Sequence, residues 1–337
     1  MSPSAGPPGL DEMETLSLEN DYLTIRILPS HGGKLVSLRS VRTGEEFLLP
    51  PLNPYRHVSA LAPFSESDGG GFDECLPSVA SCESMEGMPP VADHGDLWRK
   101  PWQVDARRGA IMLHTEAASR PLRLSRTAFL QETCLVLDYE LLNLSDRPTT
   151  WLWSAHPLLS VEAGDRILLP KEIENVAVEY SAGDNFKRGS SIDWPLATTL
   201  SGERTDLRVM GEQDGTTAHK LFARMEQQGF AALYRHRAHQ GIAIQFDSKM
   251  LPFLGLWVSC GAWPQEGVQK QYTVALEPTT SSVDSLAAAS KNGTARVLNP
   301  HEQCHWRLEF HLLGASHPLE LDVFMAATEK LSNIPDR

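Results

Sequence analysis

Short segments in which apolar and polar residues alternate run through most of the chain. A period of two residues is typical of β-strands that bury one face and expose the other. The pattern predicts strands at residues 22–28, 34–38, 110–115, 122–129, 135–142, 220–225, 230–234, 242–246, 272–276 and 306–312. Gly, Pro, Asn and Asp recur between them, as they do in turns. The chain therefore reads as an all-β protein, built as a large antiparallel β-sandwich.

A helical pattern occurs at residues 283–291, where we predict one short helix. Ser281 and Asp284 have the spacing of a capping box, and Asn292-Gly293 is a typical stop signal. Neither an internal repeat nor a linker divides the chain. We therefore predict a flexible N-terminal tail over residues 1–14 and a single β-sandwich domain over residues 15–337.

Composition and charge narrow the range of partners. Of 337 residues, 41% are hydrophobic and 22% are charged, as in ordinary soluble proteins. A net charge of -13 without a basic stripe argues against nucleic acid and anionic lipid as partners and slightly favours a neutral ligand. Five cysteines without a C-x-x-C pair are typical of reduced thiols. With no secretory signal or long apolar run, we expect a cytoplasmic protein that does not enter a membrane.

The segment 93–99, D-H-G-D-L-W-R, places His94, Trp98 and Arg99 close together. An aromatic ring can stack on the C–H face of a sugar while polar groups bond its hydroxyls. A surface loop with one buried Trp is an equally good interpretation of this segment alone. Trp257 lies in a later strand and is either a second stacking platform or part of the core.

Two titratable residues each precede a proline. His156 follows an aromatic-rich strand and stands before Pro157, and Glu277 ends an alternating segment before Pro278. Each proline is expected to end its strand, which would display both side chains at strand ends, where a cleft can form. His and Glu are suited to proton transfer there, although a structural His and an exposed Glu are the simpler alternatives.

Taken in order, several motifs resemble the aldose 1-epimerase, or galactose mutarotase-like, superfamily. They are H-G-G-x-L-x-S-L at 31–38, H-G at 94–95, His156, and L-E-P-x-T at 276–280; G-F-D-E-C-L-P at 71–77 resembles the G-W-D-E-x-x-P segment of a less characterised branch. The resemblance implies a large β-sandwich. It also implies interconversion of the α and β anomers of a free hexose without a metal or organic cofactor.

The resemblance further implies roles for individual residues. Glu277 would take the proton of the sugar O1 hydroxyl, and His156, as an imidazolium, would donate one to the ring oxygen. The substrate-binding residues would be His94, Asp73, Glu74, Trp98, Arg99 and Trp257. Asp73 and Glu74 stand where many mutarotases carry an arginine, and Arg99 or Arg126 is a candidate to replace it.

Three other functions are compatible with parts of the sequence. A non-catalytic sugar-binding or regulatory protein would keep the same sandwich and cleft. A glycoside hydrolase would pair Glu277 with Asp73 or Glu74. His301 and His305 fit the H-E-x-x-H pattern of zinc proteases, but Pro300 and the strand pattern that follows leave no room for the helix this motif needs, so we predict no metal site.

Overall fold

The computed structural model describes residues 13–59, 61–85, 87–107, 109–227, 229–267 and 269–314. Its larger sheet has ten antiparallel strands. In spatial order they are β1 (Leu16–Glu19), β2 (Leu23–Leu28), β3 (Lys34–Ser40), β4 (Phe72–Cys75), β10 (Ser154–Ser160), β20 (Tyr272–Thr279), β19 (Phe253–Cys260), β16 (Ala218–Arg224), β12 (Asn175–Ser181) and β13 (Ser191–Asp193).

The second sheet has eight antiparallel strands. Their spatial order is β11 (Arg166–Leu168), β17 (Gly229–Arg235), β18 (Gln240–Phe246), β22 (Gln303–Gly314), β8 (Cys134–Asn143), β7 (Leu122–Gln131), β6 (Ala110–Glu116) and β5 (Gln103–Arg107). Two small sheets pair β14 (Leu196–Thr198) with β15 (Arg204–Asp206) and β9 (Thr149–Trp151) with β21 (Arg296–Leu298). Short 3-10 turns lie at Phe64–Glu66 and Ala182–Asp184.

The two large sheets share one hydrophobic core, which makes the fold an antiparallel β-sandwich. Leu276 of β20 and Leu308 of β22 are both fully buried in it. Along β20, Val274 and Leu276 point into this core, whereas Ala275 packs in a separate cluster on the other face. The alternation predicted for this strand is confirmed, and it turns Glu277 away from the core. All ten predicted strands are present, with bounds that differ by at most three residues.

The predicted short helix is also confirmed as α1 (Leu286–Asn292), the one α-helix in the part of the chain described. The predicted N-terminal cap, Ser281, is wrong. Ser285 caps the helix and accepts from the N–H of Ala288, whereas Ser281 is hydrogen-bonded to Thr294. Gly293 closes the helix in the left-handed conformation, as expected from the stop signal. Asp284 is therefore not a capping residue.

The prediction that Pro157 and Pro278 end their strands is wrong. Both lie inside strands, β10 and β20, which pair with each other at Ser154–Thr279 and again from Leu158–Ala275 onward. The pairing is interrupted between these points. A proline lacks the N–H that a continuous ladder would need, so both prolines fit at this interruption. Glu277 and His156 consequently lie in the middle of the sheet.

The predicted tail lies largely outside the described residues, which begin at Met13, and the single domain over 15–337 stays a prediction. Within the part of the chain that the structure describes, no helix combines the length and apolar character needed to cross a membrane.

Candidate active site

A pocket of about 510 Å³ opens on the ten-stranded sheet, within the range usual for small-molecule sites. Its floor comes from the central strands, and loops form its walls. The lining residues are Phe64, Ser65, Val79, Asp93, His94, His156, Tyr180, Lys220, Trp257, Trp263, Pro264, Gln265, Glu266, Gln271, Glu277 and Asp284.

His156 and Glu277 lie next to each other in this pocket. Nε2 of His156 is 3.9 Å from Oε1 of Glu277, and the two residues are 5% and 1% exposed. Among the described residues, Oε1 of Glu277 and Nδ1 of His156 have no hydrogen-bond partner. A buried acceptor without a partner is costly, so Oε1 is suited to receive a proton or hydrogen bond from a ligand.

Burial moves the pKa values of these two residues in opposite directions. It raises the pKa of Glu277, and the cation of Lys220 opposes this shift. It lowers the pKa of His156 well below its usual range, and His94 and Lys220 lower it further. These shifts favour a neutral imidazole for His156 at neutral pH, whereas the resemblance implies an imidazolium.

Lys220 is a charged pocket residue that sequence reasoning missed. Its ammonium donates to Oε2 of Glu277 and lies 3.5 Å from Oδ1 of Asp284. Although burial lowers the pKa of Lys220, these two carboxylates outweigh it and raise the pKa. Lys220 thus stays charged, and it joins strand β16 to β20 and to the loop before α1.

His94 forms part of the wall beside His156. Its ring stacks on Phe64 at 3.9 Å and meets the edge of His156 at 4.9 Å. Its Nδ1 is 3.0 Å from a carboxylate oxygen of Asp93, which fixes the ring orientation. The following Gly95 is required, because a Cβ there would lie 2.3 Å from the carbonyl oxygen of Leu76. The close packing of Gly95 therefore holds the preceding His94 beside His156.

An aromatic group forms another wall. Trp257 is partly exposed, and its indole N–H donates to Oε1 of Gln271 at 3.1 Å. The rings of Trp263 and Tyr180 lie 6.0 and 6.2 Å from it. Trp257 was predicted to be either a stacking surface or part of the core. The structure places it at the pocket wall, where its ring is available for stacking.

Asp73 and Glu74 do not line the pocket: Asp73 pairs with His156 on the neighbouring strand, and Glu74, the next residue, points to the opposite face of the sheet. Both have 0% exposure, and Nζ of Lys34 is 2.8 Å from Asp73. Glu74 accepts hydrogen bonds from Arg126 at 2.8 Å, from Tyr139 at 2.9 Å and from the indole of Trp153 at 3.0 Å. Glu74 is thus fully engaged by its partners, whereas the ammonium of Lys34 is shared between Asp73 and Asp68. Neither acidic residue is exposed in the pocket where a sugar would bind. Arg126 is equally withdrawn into the core.

Trp98 and Arg99 support the His94 loop instead of lining the pocket. The indole of Trp98 donates to the carbonyl of Asp93 and packs edge-on against Phe64. The guanidinium of Arg99 lies 4.5 Å above the Trp98 ring and also donates to the Asp93 carbonyl. Of the residues expected to bind substrate, the structure thus brings His94 and Trp257 to the pocket together with the pair His156 and Glu277.

Two histidine groups outside the pocket have metal-ligand chemistry. His305 lies on strand β22 and is 58% exposed, so the H-E-x-x-H segment is not helical. Cys134, Glu309 and His311 hold potential ligand atoms within 4.8 Å of one another. His311 is already hydrogen-bonded to Glu309, and the cation of Arg307 lies 3.8 Å from that carboxylate, which opposes a second cation there.

Solved structures from several bacteria share this architecture. The Slr1438 protein of Synechocystis sp. PCC 6803 is 16% identical, covering 93% of this chain and 99% of its own, with a TM-score of 0.67. A galactose mutarotase-like protein of Lactobacillus casei is 16% identical, covering 89% and 100%, with a TM-score of 0.65. The chain has the galactose mutarotase-like fold.

A third structure with this mutarotase-like fold is a provisionally named aldose 1-epimerase from Klebsiella pneumoniae. It is 18% identical, covers 96% of this chain and 84% of its own, and has a TM-score of 0.68. At such identities the likeness shows the fold alone. A family model described as a domain of unknown function, DUF4432, matches residues 205–312. No curated protein matches the chain at a significant level.

Proposed function

We propose that the protein is an aldose 1-epimerase, which interconverts the α and β anomers of a free aldose. One observation carries the proposal: the imidazole of His156 lies 3.9 Å from an unpartnered carboxylate oxygen of Glu277 inside a pocket of about 510 Å³. An acid and a base held together in a partly enclosed site suit a reaction that moves one proton off a sugar and another onto it.

In the proposed reaction, Oε1 of Glu277 takes the proton of the O1 hydroxyl. The electrons of that bond form the C1–O1 double bond, and the C1–O5 bond breaks. Protonated His156 supplies a proton to O5 as the ring opens. Rotation about C1–C2 exposes the other face of the carbonyl, and ring closure by the reverse proton transfers gives the second anomer and restores both residues.

The proton inventory follows from the surroundings of the two residues. Because burial disfavours the imidazolium of His156, the form that acts as donor carries one proton more than the resting pocket. Glu277 must remain ionised in that form, and its contact with Lys220 supports this.

The charges of the lining favour a neutral sugar over a phosphorylated one. Four carboxylates line the pocket: Asp93, Glu266, Glu277 and Asp284. The one lysine or arginine among the lining residues is Lys220, and two of those carboxylates already engage it. A phosphate would therefore enter a pocket of four carboxylates in which no lysine or arginine is free to pair with it. Trp257 offers a flat apolar surface for the C–H face of a pyranose.

Polarimetry of freshly dissolved α-D-glucose, α-D-galactose and further aldoses tests the proposal. We expect the protein to accelerate the approach to anomeric equilibrium over buffer alone. Binding without acceleration would instead support a non-catalytic sugar-binding protein. Release of reducing sugar from a glycoside would support a hydrolase, although Asp73 and Glu74 do not line the pocket as partners for Glu277.

We also propose that the protein acts in the cytoplasm, which its five unpaired cysteines fit.

A further inference from the structure

Lys220 reaches Glu277 across an intervening strand. Glu277 on β20 pairs with Gly255 on β19, and β19 in turn pairs with β16, which carries Lys220. A Cβ on Gly255 would lie 3.0 Å from Oε2 of Glu277 and 3.4 Å from Nζ of Lys220. The glycine therefore leaves the gap through which the ion pair forms.

The two carboxylate oxygens of Glu277 have different surroundings. Oε2 accepts from the Lys220 ammonium, whereas Oε1 has no partner among the described residues and faces Nε2 of His156. A charge-assisted hydrogen bond to one oxygen fixes the rotation of the carboxylate. The second oxygen is then held in a constant position toward the pocket.

We propose that Lys220 is a positioning residue for this site: by holding Oε2 of Glu277 across Gly255, it leaves Oε1 free to take the substrate proton. Asp284, whose Oδ1 lies 3.5 Å from the same ammonium, limits how far Lys220 can neutralise Glu277. The inference rests on the proposed function for its link to turnover. The coupling between the three charged groups stands on geometry alone.

The groups that face Glu277 come from five parts of the fold. They are Lys220 on β16, Asp284 before α1, His156 on β10, His94 on the loop between β4 and β5, and Cys75 on β4. Burial raises the pKa of Glu277, Lys220 lowers it and Asp284 raises it. Removing Lys220 and removing Asp284 should therefore move the Glu277 titration in opposite directions.

Carbon-13 NMR of labelled glutamate carboxyl groups measures that titration directly, with the Glu277 signal assigned by its loss in Glu277→Gln. We expect the midpoint to move to higher pH in Lys220→Met and to lower pH in Asp284→Asn. Lys249 is an exposed lysine outside the pocket lining, so Lys249→Met removes the same charge and should leave the midpoint unchanged. An unchanged midpoint in Lys220→Met would overturn the proposal.

Turnover gives the second readout. Lys220→Met should lower kcat by about tenfold or more with little change in KM, and Lys220→Arg should restore part of the loss because it keeps a donor for Oε2. A rate in Lys220→Met equal to wild type would also overturn the positioning role. If Lys220→Met does not fold, Lys220→Arg and Asp284→Asn decide the question by the same titration.

The failures of the two proposals are distinguishable. The carboxyl titration needs no turnover, so it reports the Lys220–Glu277 coupling even if the wild-type protein accelerates no mutarotation, a result that would refute the proposed function. Active wild type, inactive Glu277→Gln and an unshifted Lys220→Met would leave the function standing and refute the role of Lys220.

Discussion

His156 and Glu277 lie 3.9 Å apart at the one stretch where β10 and β20, neighbours along the rest of their length, do not pair. Each is followed by a proline inside its strand. The register is the same on both sides of the interruption and sets the two residues opposite each other, so both side chains lie on the pocket face. The fold in this way builds an acid–base pair into the centre of a sheet, where strands are more rigid than loops.

Replacing His156 tests its role as proton donor. We expect His156→Asn to lower kcat by roughly 10²–10⁴-fold, because asparagine has no titratable proton, while the dissociation constant for the sugar changes little. Isothermal calorimetry with the same sugar measures the second quantity. An equal loss of binding would show that His156 is a ligand and not an acid.

The pH dependence follows from the opposed pKa shifts. The productive form needs ionised Glu277, whose pKa is raised, and protonated His156, whose pKa is lowered. As pH rises, His156 loses its proton and kcat/KM should fall; as pH falls, Glu277 gains a proton and kcat/KM should also fall. The rate should therefore be higher at about pH 6 than at about pH 8. A constant kcat/KM over this range contradicts the assignment of His156 as an imidazolium donor.

The same substitution, Trp to Phe, distinguishes the roles of the two tryptophans expected to contact sugar. Trp257 lines the pocket, whereas Trp98 lies behind Phe64 and is buried. Trp257→Phe should weaken sugar binding by about 0.5–1.5 kcal/mol, because it removes stacking surface and the hydrogen bond to Gln271. Trp98→Phe should leave the dissociation constant close to wild type. The reverse order would move the stacking surface to the His94 loop.

Arg126 is expected to stabilise the fold and not to bind substrate. Arg126→Met leaves Glu74 buried without its ion-pair partner, which costs about 3–5 kcal/mol in the free energy of unfolding. Arg123 on the same strand pairs with Glu116 at the surface, so Arg123→Met should cost less than about 1 kcal/mol. Urea denaturation measures both. Similar costs, or a raised KM in folded Arg126→Met, would place Arg126 in the substrate site.

The sequence predicts the sandwich well because burial on one face imposes a period of two on each strand. Residues such as Val274 and Leu276 carry that signal locally. Lys220 could not be found this way, since a lysine on a strand usually faces water and its partner Glu277 is 57 residues away along the chain. Gly255 was the available signal, because an isolated glycine in a buried strand often marks a close approach.

Lys220 was not predicted at all, whereas Asp284 was predicted in the wrong role. Its spacing from Ser281 fits a capping box, but the cap is formed four residues after Ser281, by Ser285. Asp284 instead lines the pocket. Asp73 and Glu74 were expected at the sugar because they stand where many mutarotases carry an arginine. Their cations, Lys34 and Arg126, come from strands distant in sequence, so their burial was not visible in the motif.

Saturation-transfer NMR between the anomers of a turned-over aldose tests the central claim most directly, with wild type, Glu277→Gln and the control Glu226→Gln, whose side chain is 75% exposed. We expect wild type and Glu226→Gln to exchange magnetisation between the anomers at equal rates, and Glu277→Gln to be slower by about 10²-fold or more. Exchange in Glu277→Gln at the wild-type rate would contradict the account, because the proton acceptor would then lie elsewhere.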